Sequence, residues 1–312
     1  MWLGASVLAL ALIAALLAVR WRQSAAPRAA VGSGWLLVDS RMVNHHVLVR
    51  LGFASGVEPQ WWILDSGSTH NLVDANYAAR FDRRLKGSIR DVNQPGAAFS
   101  AQALEHGYVL QRDGRRGPAV DLGNAAVLDL RHLAQSVALP LAGIVGHPFL
   151  SQCVVSIDFP RQQVWLRDRR SAFSLPPPAS HATPSVIAAP LGQHHLLLLP
   201  VAVNGQPAGP WSLDTGSNIS IAAHELAQRA QLRPSDGGAV QAQLVNRAIT
   251  VVPSAASIAI GGGAPRAATL FVPQQAQPLA HATVGLDGNL GTDLLQHCRI
   301  TIDCSNERVI LD

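Results

Sequence analysis

The chain repeats itself. Moving Asp65-Ser66-Gly67-Ser68 forward by 149 positions lands on Asp214-Thr215-Gly216-Ser217, and the same offset superimposes His45-His46 on His194-His195, Gly56 on Gly205, Trp62 on Trp211 and Leu64 on Leu213 without a gap. A second ungapped block follows at an offset of 145, with Gly146 on Gly291, Leu150 on Leu295, Cys153 on Cys298, Ile157-Asp158 on Ile302-Asp303, Val164 on Val309 and Leu166 on Leu311. The change of offset is one small indel. A repeat of this length in two copies points to a duplicated domain, because a solenoid needs three or more copies to bury a continuous core.

The length of 312 residues suits about two domains. Within each half, 26 Gly and 20 Pro over the whole chain break up short runs such as Val154-Val155-Ser156-Ile157 and Ile300-Thr301-Ile302, which predicts short strands and turns. Helical patterning is confined to 74–81 and 222–230. The expected fold is all-β and bilobal, with a first lobe at 35–170, a stiff Pro-rich linker at 171–184 and a second lobe at 185–312.

The first twenty residues are of another kind. From 2 to 19 there is no charge and little besides Ala, Leu, Val and Ile. As a helix this stretch spans about 27 Å, close to the thickness of a hydrocarbon core. Residues 1–20 are therefore expected to form a transmembrane helix or signal segment, with 21–34 as a tether and small residues at 24–26 and 29–30 offering a cleavage site. The body is expected on the exported side, periplasmic or extracellular, against the bias that Arg20 and Arg22 give by the positive-inside rule.

Charge and cysteine usage exclude several roles. The net charge of +4 comes from scattered Arg with local clusters at 112–116 and 161–170, too sparse for a groove that tracks nucleic acid. Three Cys make neither a disulfide framework nor a metal spacing. Cys298 and Cys304, if in one extended strand, would be about 20 Å apart and unable to bridge. Cys153 and Cys298 could face each other across a pseudo-twofold axis, but buried free thiols are expected.

The two acidic loops carry the chemistry. An isolated Asp, with a pKa near 3.9, is a weak general base at higher pH. Two carboxylates about 3 Å apart do not both ionise easily, so one keeps a proton while the other can accept one from water; the aspartic protease dyad is the standard worked case of this splitting. Asp65 and Asp214 are the candidate catalytic pair and titrate as a unit. Gly67 and Gly216 permit a tight turn that brings backbone N–H groups to the carboxylates. Ser66 and Thr215 are expected to bond across to the opposite loop. Ser68 and Ser217 are expected to donate to the outer carboxylate oxygens, which would favour the charged form and extend activity to acidic pH. One Asp-Ser/Thr-Gly tripeptide arises by chance in roughly one chain in ten of this length. Two in register within an independent repeat are a signal.

On these residues, together with Ile144-Val145-Gly146 and Asn289-Leu290-Gly291, residues 35–312 resemble the pepsin/retropepsin aspartic protease family in its bacterial single-chain, two-lobed form. Asn289 departs from the family's apolar residue at that position. The resemblance implies a cleft between lobes and an aspartic endopeptidase acting on peptide or protein substrates. Both aspartates lie in one chain, so a monomer suffices for one site. A flap is implied as well, with candidate tips Asn93-Gln94-Pro95-Gly96 and Asp236-Gly237-Gly238. No cofactor is expected.

Two other readings remain open, a non-catalytic peptide-binding protein on the same fold and a metal-dependent hydrolase using the His pairs. Adjacent His point to opposite faces of a strand and lack further ligands at suitable spacing, so they are read as polar strand starts with no metal. Asp158 and Asp303 are read as structural, and Trp61-Trp62 as core packing.

Overall fold

The computed structural model describes residues 34–53, 56–80, 84–90, 98–104, 106–170, 176, 184–243, 248–275 and 285–312. The expected anchor at 1–20, the tether at 21–34 apart from Gly34, and the linker at 171–184 apart from Pro176 and Pro184 lie outside these residues. No helix among the described residues is long and apolar enough to cross a membrane.

Strands dominate. In the first half, strand His46–Phe53 pairs antiparallel with Gln60–Leu64. The chain then turns through the first acidic loop into Asn71–Asp74, and Asp74 caps the helix Ala75–Ala78 by accepting from the Asn76 N–H at 2.9 Å. Strand Leu141–Val145 then inserts between these neighbours, parallel to Gln60–Leu64 and antiparallel to Asn71–Asp74. The second half repeats the device: Gly288–Leu290 runs parallel to Gly209–Leu213 and antiparallel to Ile221–Ala222. Its helix, His224–Arg229, occupies the equivalent place.

Each inserted strand carries a glycine because a Trp ring lies against its backbone. A Cβ at Gly143 or Gly288 would come within 2.6 Å of ring carbons of Trp62 or Trp211. Both rings are fully buried at the centre of one apolar cluster that runs through both halves. Trp61 points the other way, into a smaller cluster with Leu48, Ile63 and Ile144, covered by Leu130 and by Leu133 and Val137 of the helix Arg131–Val137.

The halves join through a six-stranded sheet in the order Leu36–Leu37, Gln163–Asp168, Cys153–Asp158, Arg299–Asp303, Arg308–Leu311 and Ser185–Ala188. Its central pair is antiparallel with Ser156 opposite Thr301. These two residues are equivalents in the repeat, so the local twofold passes between them. The Thr301 hydroxyl donates to Ser156 Oγ at 2.9 Å, a buried bond between chemically matched positions. Asp158 and Asp303 are buried beside the hairpin turns, paired with Arg161 at 3.0 Å and Arg308 at 2.8 Å. Arg299, also buried, pairs with Asp312 and donates to Pro176 O at 2.9 Å.

All three cysteines are free. Burial pushes the Cys153 thiol up to about 12, with neighbouring Cys304 adding to the effect. The second His pair is not a strand start. His194 and His195 lie in a 3-10 turn with φ of 61° and 60°, and the strand begins only at Leu198. The Gly192 N–H donates to Leu196 O at 2.8 Å across this turn.

The Trp-on-glycine packing gives a direct test. Gly143→Ala or Gly288→Ala should each destabilise the protein by about 1–3 kcal/mol through overpacking, read from the urea midpoint, whereas Gly34→Ala, with open space around it, should change little.

Candidate active site

The inserted strands hold the two acidic loops in place. The Asp65 N–H donates to Val145 O at 3.0 Å and the Asp214 N–H to Leu290 O at 2.9 Å. One turn further, Gly146 N–H donates to Asn71 Oδ1 at 2.8 Å and Gly291 N–H to Ser220 Oγ at 2.9 Å. The His147 and Thr292 N–H groups reach Ser68 O and Ser217 O, each at 2.9 Å. Every backbone group that steers an aspartate is therefore paired in both halves.

The loops are tied to each other by hydroxyls. Ser66 Oγ donates to Leu213 O at 2.8 Å and accepts from the Thr215 N–H at 3.0 Å. Thr215 Oγ1 donates to Leu64 O at 2.7 Å and accepts from the Ser66 N–H at 3.0 Å. All four bonds are buried and all four cross between the halves. Removing either hydroxyl would strand a buried N–H and a buried carbonyl, at roughly 1–3 kcal/mol for each group left unpaired.

The tie brings the carboxylates together. The carboxyls of Asp65 and Asp214 lie close enough to raise the Asp65 pKa through each other's charge and hydrogen bonding. Asp214 lies over Gly67, where a Cβ would come within 2.7 Å and 2.8 Å of its two oxygens, and Asp65 lies over Gly216, where both oxygens would be at 2.6 Å. Neither glycine is among those with positive φ. Glycine is needed here for the approach of the opposite carboxylate, a reason different from the tight turn expected from the sequence.

Within its own loop, Asp65 Oδ1 accepts from the Gly67 N–H at 2.8 Å. Asp214 Oδ1 accepts from the Gly216 and Ser217 N–H groups at 2.9 Å and 3.0 Å. Burial pushes the Asp65 carboxyl well above its ordinary value of 3.8, reinforced by the charge of Asp214 and the hydrogen bond to it, and opposed by the Gly67 and Ser68 N–H groups. His46 lies beside Asp214 and the Gly216 backbone; burial lowers its pKa against their influence.

Two expectations require correction. The Ser68 and Ser217 hydroxyls do not donate to the outer carboxylate oxygens. They donate to His70 O and Ile219 O, each at 2.7 Å, closing their own loops. Those carbonyls lie two residues ahead and have the hydroxyls within easy reach, whereas backbone N–H groups already serve the carboxylates. The turn at Asp236-Gly237-Gly238 is not a hairpin tip either. Arg233–Pro234 and Val240–Gln243 both pair with the long strand Ala248–Ile260, at Ala255–Ser254 and then Val251–Ala248 in their register. The chain runs along that strand and leaves it briefly, with Gly238 at φ 68°. Asn93, Gln94, Pro95 and Gly96 lie outside the described residues, between strands Arg84–Arg90 and Ala98–Ala103, which pair antiparallel.

Asn289 was not singled out for chemistry in the sequence, and the structure places it at the dyad. Its Nδ2 donates to Asp214 Oδ2 at 2.7 Å. The available signal was its departure from the apolar residue at the start of Asn289-Leu290-Gly291. Further contacts between the halves also escaped the reading: the His147 and His195 rings stack at 4.5 Å, and Thr292 Oγ1 donates to His45 O at 2.8 Å. Among the described residues no group of three or more His, Cys, Asp or Glu is gathered to hold a metal.

Residues 199–294 match the family model for aspartyl protease, a span that includes Asp214-Thr215-Gly216-Ser217 and Asn289-Leu290-Gly291. The match supports an aspartic protease family, as the sequence resemblance implied, and peptide hydrolysis as the class of activity. No curated protein matches the chain.

The raised Asp65 pKa links protonation to stability. The native state holds a proton that the unfolded chain releases, so this contribution is fully present below about pH 3.8 and is lost as pH rises through the raised native value. Urea titrations across pH should therefore show wild type losing stability with rising pH relative to Asp65→Asn; parallel curves for the two proteins would contradict the shift.

Proposed function

We propose that this protein is a membrane-tethered aspartic endopeptidase that hydrolyses peptide bonds with a water activated between Asp65 and Asp214. The observation that carries this reading is the pair of carboxylates, one from each half, seated over each other's glycines. Such a pair holds one proton in common. Its ionised member takes a proton from the attacking water, and its protonated member donates to the carbonyl oxygen as negative charge develops there. The rigid hydroxyl tie between Ser66 and Thr215 keeps this arrangement preorganised, so little reorganisation is needed during the reaction.

A peptide substrate in extended form suits the all-β body, because backbone pairing to strand edges supplies affinity while alternate side chains supply selectivity. The aspartyl protease match over 199–294 supports the activity class, and the uncharged apolar stretch at 2–19 supports the tether.

On a peptide library, the soluble body should cleave, and Asp65→Asn and Asp214→Asn should each lower kcat/KM by about 10²–10⁴-fold, the scale of a general acid or base. Binding of peptides without turnover by wild type would instead identify a non-catalytic peptide-binding protein. Loss of activity on chelation would favour the metal-dependent reading. For the tether, deletion of 2–19 should move the protein from the membrane pellet to the soluble fraction with cleavage retained; an unchanged distribution would remove membrane attachment from the proposal.

A further inference from the structure

The repeat makes the two halves of the site similar, and a side-chain contact at Asp214 sets the two acids apart. Both aspartates have a backbone anchor from the inserted strand, an N–H bond to Oδ1 and an opposing glycine. Among the described residues, only Asp214 of the two receives a side-chain amide. Asn289 Nδ2 donates to its Oδ2 at 2.7 Å, and Ser212 Oγ donates to Asn289 Oδ1 at 2.7 Å, which fixes the amide with its nitrogen toward the carboxylate. Ser212 is fully buried. By the same offsets, the equivalents of Ser212 and Asn289 in the first half are Ile63 and Ile144, packed under the helix Arg131–Val137 with no donor to offer.

We propose that Asn289 is the positioning residue that decides where the dyad's proton rests: on Asp65, leaving Asp214 as the base that takes a proton from water. This rests on the reading of the two aspartates as the catalytic pair.

The argument is one of acceptor accounting. Asp214 Oδ1 already accepts two backbone N–H groups and Oδ2 accepts the amide, so three donors are aimed at this carboxylate. Donors aimed at a carboxylate favour its ionised form. Asp65 also faces two backbone N–H groups, those of Gly67 and Ser68, but it is the more enclosed carboxyl and, among the described residues, has no side-chain amide on it. A proton on Asp65 can then be donated to the neighbouring Asp214 carboxylate, which sits over the opposite loop's glycine. In the first half of the reaction Asp214 gains a proton from water as the new carbon–oxygen bond forms, while Asp65 donates to the carbonyl oxygen. As the carbon–nitrogen bond then breaks, Asp214 gives the proton it took from water to the leaving amine, and a hydroxyl of the tetrahedral diol returns its proton to Asp65 as the carbonyl re-forms. His46 is the other titratable group beside Asp214; it is common to the variants compared below, so its own titration does not distinguish them.

Two experiments test the assignment. The first compares pH–rate profiles of wild type, Asn289→Leu and Ser212→Ala on one peptide. Loss of a hydrogen bond to the charged base should move the acidic limb upward by about one to two pH units in Asn289→Leu, and by less in Ser212→Ala, where the amide remains but is no longer held. An acidic limb at the wild-type position in both variants would overturn the proposal.

The second experiment needs no activity. An asparagine at 65 keeps an oxygen for the Gly67 N–H and presents its NH2 to Asp214, imitating the protonated acid. An asparagine at 214 has one acceptor oxygen for donors that approach on two, so either the backbone N–H groups or the Asn289 amide loses its partner. At pH 7, Asp65→Asn should melt at or above wild type and Asp214→Asn several degrees below it. The reverse order would assign the proton to Asp214, bonded to a flipped Asn289 amide, and sink the idea. Wild type that cleaves no peptide would defeat the function proposed above, whereas the melting comparison would still decide the role of Asn289.

Discussion

Four buried hydrogen bonds between the Ser66 and Thr215 loops are the constraint on which the site depends. Two carboxylates repel at the range where they can share a proton, and burial makes that repulsion harder to screen. The hydroxyls oppose it without adding charge. Each completes one donor and one acceptor of the opposite strand end, so separating the halves would expose or strand six hydrogen-bonding groups at once. The glycines complete the arrangement by leaving room for the opposite carboxylate to descend onto the backbone.

The rest of the fold serves to aim those loops. In each half an inserted strand takes the place between the strand that enters the loop and the strand that leaves it, and its carbonyl receives the aspartate N–H. That insertion needs a flat strand against a large ring, which is why Gly143 and Gly288 face Trp62 and Trp211. The shared six-stranded sheet, with Ser156 opposite Thr301 on the local twofold, sets the second relation between the halves. Two separated attachments, one at the loops and one at the sheet, define the placement of one half on the other better than either alone.

Duplication gives symmetry, and the chemistry of water activation needs two unlike carboxyls. The Ile63 and Ile144 pair in the first half and the Ser212 and Asn289 pair in the second occupy equivalent strand positions. One pair is closed under a helix and the other supports a hydrogen-bond chain to Asp214. A polar pair at two positions of a repeated frame thus contributes to making the environments of the acids differ.

Much of the frame was legible because the repeat is ungapped around the features that matter. Two acidic loops in register, the Trp and Gly positions and the helix at each equivalent site could be read directly as a duplicated β body. The hydroxyl partners were harder. Ser66, Ser68, Thr215 and Ser217 all look alike in sequence, and only geometry separates the two that cross between the halves from the two that close their own loops. The turn at 236–238 misled for a related reason, since Gly-rich composition marks a departure from a strand as readily as it marks a hairpin. By itself the sequence determined the duplication, the strand-rich architecture and the two aspartates, because these follow from local pattern and register. Only the tertiary structure decided why the loop glycines are there, that the Ser66 and Thr215 hydroxyls cross between the halves and that Asn289 reaches Asp214, because those depend on atoms that meet across chain separations of 75 to 151 residues.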